Sequence, residues 1–178
     1  MNHYQARNLF DAQMNTNPIN SLDFLVHDLE NWMNIAHIFR LADAINCQNL
    51  YLSGNSINTL ENKKVKILKA CRIKNAKYQN IYNVQKFLET YSGKIICLEV
   101  TKSSVSIFQH NFSNTPPNIL VVVGSEKNGL PDSILNKTHF HIHVPMYGAN
   151  SSMNVAMALA IASYNMIFSI TYRNHAYW

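Results

Sequence analysis

Apolar positions along this chain alternate between two rhythms. Short runs rich in β-branched and aromatic residues, at 22–27, 49–52, 78–82, 94–100, 119–123 and 140–144, read as strands. Between them lie stretches with apolar residues three and four apart, at 32–45, 60–73, 84–91, 103–110, 132–136 and from Val155 onward, which read as helices. In the first of these, Ile35, Ile38, Phe39 and Ala42 fall on one helical face. Strands alternating with helices predict an α/β fold: a mostly parallel sheet covered by helices on both faces. The pattern supports one domain over residues 21–178. Residues 1–20, polar and asparagine-rich, are a separate arm in which Leu9, Phe10 and Met14 could share one side of a short helix.

The segment from 118 to 165 has the most legible punctuation. A buried strand at 119–123 runs into a turn bounded by Gly124 and Gly129. The strand at 140–144 is stopped by Pro145, which has no N–H for a ladder. A polar loop, 147–151, then leads into a long helix, with Ser151 or Ser152 as its expected N-cap. That helix is rich in Ala, Met, Leu and Ile and is expected to be buried on more than one side. Small polar loops at strand ends beside a helix N-terminus predict a ligand site, because open α/β sheets bind ligands at the carboxyl ends of their strands.

Gly124 and Gly129 have the spacing of a phosphate-binding loop, but Leu130 and Pro131 stand where lysine and serine or threonine are needed, so an ATPase is not expected. The 178 residues suffice for a sizeable core. A hydrophobic content of 47% with 14% charged residues excludes a disordered chain. A net charge of +5 and a pI near 9.1 favour polyanionic partners. Lys63, Lys64, Lys66, Lys69, Arg72, Lys74 and Lys77 are the one basic cluster, read as a solvated helix face. Cys47, Cys71 and Cys97 are odd in number and lack metal-like spacing, so a disulfide framework is not expected. With no transmembrane-length run and no signal-peptide core, the expected compartment is the cytoplasm. His139, His141 and His143 share one face of a strand, which invites a metal; a half-exposed strand with Phe140, Ile142 and Val144 on its apolar back is the preferred reading.

Three segments, in order, resemble the motifs of the SpoU (TrmH-like) branch of the SPOUT RNA methyltransferases. They are Asn31-Trp32-Met33-Asn34-Ile35-Ala36-His37-Ile38-Phe39-Arg40-Leu41-Ala42-Asp43, Val123-Gly124-Ser125-Glu126-Lys127-Asn128-Gly129-Leu130, and Pro145-Met146-Tyr147-Gly148-Ala149-Asn150-Ser151-Ser152-Met153-Asn154-Val155. The resemblance implies a deep trefoil knot in the carboxyl-terminal part, which no local property of the sequence reveals. It implies transfer of a methyl group from S-adenosylmethionine to a ribose 2′-hydroxyl of tRNA or rRNA, in a homodimer that builds each site across its interface. A fold retained as a non-catalytic RNA-binding module and an unrelated nucleotide-binding α/β protein are the competing readings.

Carried onto this chain, the resemblance gives Arg40, Asn34, Glu126, Ser152 and Asn154 as catalytic-site residues. Arginine is a poor base, so Arg40 is expected to hold the neighbouring phosphate and steer the hydroxyl. Asn34 would hold the loop bearing Glu126 or cap a helix. Glu126 would order the site through hydrogen bonds. Ser152 and Asn154 would touch substrate, cap the helix, or both. Cofactor contacts, largely from backbone, map to Gly124, Val144 and Met153, with Met146 beside the adenine. The chemistry needs no metal. His37 stands where the family has a small residue and Leu41 where it has threonine, so His37 is expected to alter substrate fit.

Overall fold

The computed structural model describes residues 21–72, 77–112 and 118–172. The arm at 1–20, Lys74, the break at Thr115-Pro116-Pro117 and the tail from Arg173 lie outside the described residues. Strand β6 (Asn118–Val123) is the middle of a seven-stranded sheet, and its continuous apolar run follows from burial on both faces. The other strands are β1 (Ser21–His27), β2 (Leu50–Ser53), β3 (Gln79–Ile81), β4 (Lys94–Leu98), β5 (Val105–Ser106) and β7 (Phe140–His143). Their order is β3-β2-β1-β6-β4-β7-β5, and every pairing is parallel.

Among the described residues, five helices accompany them: α1 (Trp32–Ala44), α2 (Asn55–Cys71), α3 (Val84–Thr90), α4 (Asp132–Leu135) and α5 (Val155–Tyr172), the last following β7. Alternation along β1 sends Leu22, Phe24 and Val26 to one face and Leu25 to the other. The first face packs on α1, α2 and α5, through Ile35, Ile38 and Phe39, then Leu60 and Ile67, then Leu159, Ala162 and Met166. The second packs on α3 and α4 through Leu88 and Ile134. Burying each fully enclosed Leu, Ile or Phe stabilises the fold by about 1.5–3 kcal/mol.

Two element assignments differ from the sequence reading. Residues 103–110 do not form a helix: Val105 and Ser106 pair with Ile142 and His143 as edge strand β5, and the flanking residues form turns. A local pattern cannot register a two-residue strand whose bonds are all made to a distant segment. Helix α2 begins at Asn55, five residues before the predicted start at residue 60, because Asp28 Oδ1 accepts from the Asn55 N–H at 2.8 Å and helps satisfy its first turn.

The three histidines are absorbed by the fold. His139 Nδ1 accepts from the Ile95 N–H, His141 Nδ1 lies 2.9 Å from Thr101 Oγ1, and His143 Nδ1 lies 2.9 Å from Ser104 Oγ. They pin β7 to β4 and to the turn at 101–104. Among the described residues, no group of three or more His, Cys, Asp or Glu side chains is placed to hold a metal ion.

Candidate functional site

Strands β1, β6, β4 and β7 are neighbours, and the segments leaving their carboxyl ends enclose a cavity of about 400 Å³. Glu99 and Val100 line it from the end of β4, Ser125 and Glu126 from the turn after β6, Val144 and Met146 from beyond β7. Ser152, Met153 and Asn154 close one side at the start of α5, and Asn31 and Asn34 close another at the start of α1. The sheet's connections reverse direction between β1 and β4, which makes this the expected crevice of an open α/β fold.

The turn after β6 is shaped by close backbone approach. A Cβ on Gly124 would lie 2.6 Å from the carbonyl carbon and oxygen of Gly129. Gly129 itself has φ of 65°, and a Cβ there would meet Glu99 Oε2 at 2.6 Å. The Gly129 N–H donates to the Ser125 carbonyl at 2.9 Å and folds the turn back on itself. Gly124→Ala must therefore displace backbone, and we expect urea unfolding to show a loss of about 1–3 kcal/mol, the scale of overpacking.

One chain of hydrogen bonds crosses the cavity wall. Asn34 is buried, with 4% of its surface exposed. Its Nδ2 donates to Glu126 Oε1 at 2.7 Å, and its Oδ1 accepts from Asn154 Nδ2 at 2.8 Å. Asn154 Oδ1 in turn accepts from the N–H groups of Ala156 and Met157 in the first turn of α5. Asn154, not Ser151 or Ser152, thus caps this helix; a buried partner at Asn34 fixes its amide, which the exposed serines lack. Nor is Asn34 a helix cap, since Asn31 Oδ1 accepts from the Met33 N–H and caps α1.

The structure brings together Asn34, Glu126, Ser152, Asn154, Gly124, Val144, Met146 and Met153 around the cavity. It does not bring Arg40 there. Arg40 is exposed on α1, and its Nη1 donates to the Cys71 carbonyl, at the last turn of α2, at 3.3 Å. His37 is exposed one turn earlier and Leu41 is buried in the core. Sequence reasoning missed Glu99 and Asn31. Glu99 had a usable signal: an acidic residue directly after a buried parallel strand sits at a ligand-binding end.

Among the described residues, the cavity lining contains two acidic side chains, Glu99 and Glu126, and neither lysine nor arginine. That composition suits a ligand carrying positive charge and disfavours a bare phosphate. Thiol chemistry is disfavoured as well. Cys97, buried in β4, has its thiol pushed up by burial and then by Glu99, and burial and Asp23 push Cys47 up to about 12.

A parallel α/β sheet with a cavity at the carboxyl ends of its strands has the architecture in which open α/β proteins bind small ligands. The chain belongs to the SpoU rRNA Methylase family, whose model matches residues 21–164. Membership removes the reading as an unrelated nucleotide-binding protein. It is 31% identical over 143 residues to a tRNA (guanosine(18)-2′-O)-methyltransferase of Aquifex aeolicus, covering 77% of this chain and 64% of that one. It is 25% identical over 141 residues to a 23S rRNA (guanosine(2553)-2′-O)-methyltransferase of Bacillus subtilis, covering 75% of this chain and 52% of that one. The chain thus spans between half and two thirds of these relatives' lengths. Among solved structures, the Aquifex aeolicus TrmH/SpoU tRNA modifying enzyme superposes with a TM-score of 0.69 at 25% identity, over 89% of this chain and 81% of that one. The SpoU methyltransferase AviRb of Streptomyces viridochromogenes, solved with AdoMet, superposes with a TM-score of 0.66 at 21% identity, over 84% and 60%.

Proposed function

We propose that this chain transfers a methyl group from S-adenosylmethionine to a ribose 2′-hydroxyl in tRNA or rRNA. The observation that carries the reading is the bonded series Glu126–Asn34–Asn154, which joins all three motifs around one cavity. The cavity volume lies in the range of small-molecule sites. Its acidic, lysine-free lining suits a sulfonium cofactor, with backbone from Gly124, Val144 and Met153 and the side chain of Met146 as the contacts. When bound, that cofactor supplies an electrophilic methyl group on a cationic sulfur. Asn34 holds Glu126 in place, Asn154 fixes the start of α5, and Ser152 stands beside the substrate. The activities named for the relatives support the same reaction here.

Arg40 enters this scheme through a second copy of the chain. Helix α5 buries Leu159, Ala162 and Met166, but Met157, Tyr164 and Phe168 on its other side are 65%, 55% and 55% exposed. This apolar stripe on a helix packed beside α1 is the surface of a homodimer. In that arrangement Arg40 leaves the Cys71 carbonyl and serves the partner's cavity, binding phosphate and steering the hydroxyl. We expect sedimentation at micromolar concentration to give a dimer and Phe168→Lys to give a monomer. A monomeric parent protein would remove the composite site.

Residues 21–178 form the single methyltransferase domain of this proposal, with 1–20 as an arm and the cytoplasm as the working compartment; none of the described helices is long and apolar enough to cross a membrane. The trefoil knot belongs to the proposal too. Its support is the position of β7, inserted between β4 and β5, which precede it in the chain. Calorimetry with S-adenosylmethionine and S-adenosylhomocysteine, followed by transfer of labelled methyl to bulk tRNA and rRNA, tests the function. Absence of binding by both compounds would end it, and binding without transfer to any RNA would favour the non-catalytic module.

A further inference from the structure

The outer side of α2 has no role in the cavity, yet its charge is one-sided. Lys63, Lys66 and Lys69 are exposed, and Arg72 follows directly. Glu61 is the one acidic residue on the helix. Among the described residues, none of these four cations lies within ion-pair distance of a carboxylate. A helix face that is merely solvated usually alternates charge at i,i+4, and this one does not.

Beside these lysines is a second cleft, of about 260 Å³, between the amino-terminal halves of α1 and α2. Trp32 lines it from α1; Asn58, Thr59, Asn62 and Lys63 line it from α2, and Glu30 completes it. The segment that enters α1 borders both spaces, since Asn31 lines the main cavity while Glu30 and Trp32 line the cleft. At the far end of α2, Arg40 reaches the Cys71 carbonyl. Lys63 to Lys69 thus forms a positive track about 9 Å long, bounded by an aromatic cleft and by Arg40.

We propose that α2 docks the RNA strand flanking the modified nucleotide, with phosphates on Lys63, Lys66 and Lys69 and one unpaired base stacked on Trp32. The assignment rests on RNA being the substrate. Dispersed lysines suit phosphates, an aromatic ring accepts any base face, and the asparagine amides of the cleft offer donors and acceptors to a base edge.

The test uses the full chain, with bulk bacterial tRNA as the probe, in filter retention across a potassium chloride series. The triple variant Lys63→Gln/Lys66→Gln/Lys69→Gln is expected to bind about 10-fold or more weakly and to flatten the salt slope by about two to three. Trp32→Ala is expected to weaken binding about 5-fold or more without changing the slope. Lys86→Gln/Lys102→Gln, elsewhere on the surface, should change neither. S-adenosylmethionine affinity, measured on every variant, reports an intact fold. RNA binding by the parent that survives in the triple variant, with its slope unchanged, overturns the α2 assignment alone. A parent protein that binds the cofactor but retains no RNA at any salt overturns the RNA reading along with it.

Discussion

Arg40→Ala is expected to lower the single-turnover rate of methyl transfer by about 100-fold or more, with cofactor affinity and melting temperature nearly unchanged. Arg40 is exposed, and its hydrogen bond among the described residues, to the Cys71 carbonyl, is long at 3.3 Å. Little folding energy therefore depends on it. Loss of a bidentate, charge-assisted phosphate contact costs a few kcal/mol, and each 1.36 kcal/mol is a factor of ten in rate. Arg40→Lys should also fail largely, since an ammonium keeps the charge but not the planar fork. If the arginine only tethered α1 to α2, alanine would lower the melting temperature and activity would track the folded fraction. Near-normal transfer by Arg40→Ala would remove this residue from the reaction.

Asn34→Leu should behave differently, damaging stability and activity together. Leucine roughly preserves volume but removes the buried amide that holds two exposed partners: Glu126 loses a donor at 2.7 Å and Asn154 an acceptor at 2.8 Å. A bond to a carboxyl group and a neutral amide bond together are worth about 2–4 kcal/mol. Both partners are exposed and water can replace the lost bonds, so thermal melts should register part of that loss. Transfer should fall about 30-fold or more even at saturating cofactor, because Glu126 and the first turn of α5 are no longer held. A variant that melts early but transfers normally once folded would show that the bonded series is structural only.

Much of the sheet could be read from local pattern because its strands are buried on both faces, and continuous apolar runs such as Ile119–Val123 need no distant information. The elements that escaped depend on distant partners. Strand β5 exists only because Val105 and Ser106 meet β7. The cap of α5 went to Asn154 over two adjacent serines because Asn34, 120 positions away, holds its amide. The same applies to the site. Motif order gave the residues that ring the cavity, since each sits where its own strand or helix ends. Spacing along α1 could not show that Asn34 points inward while Arg40, six positions on, faces solvent beside α2. Glu99 went unnoticed because a lone acid after a strand looks like an ordinary surface residue until the fold sets it against Gly129.

The place of β7 in the sheet also governs the timing of assembly. Strands β4 and β5 are complete by residue 106, yet β7, which separates them, spans residues 140–143. During synthesis the ribosome releases both flanking strands long before the one that joins them. Until then β4 has both hydrogen-bonding edges open before β6 is made and one open afterwards, and β5 has no ladder at all. Open edges of this kind invite pairing with other chains. Nascent chains stalled between residues 110 and 140 should therefore be the most prone to aggregate and the most dependent on chaperones, and their protection should rise sharply once β7 has emerged.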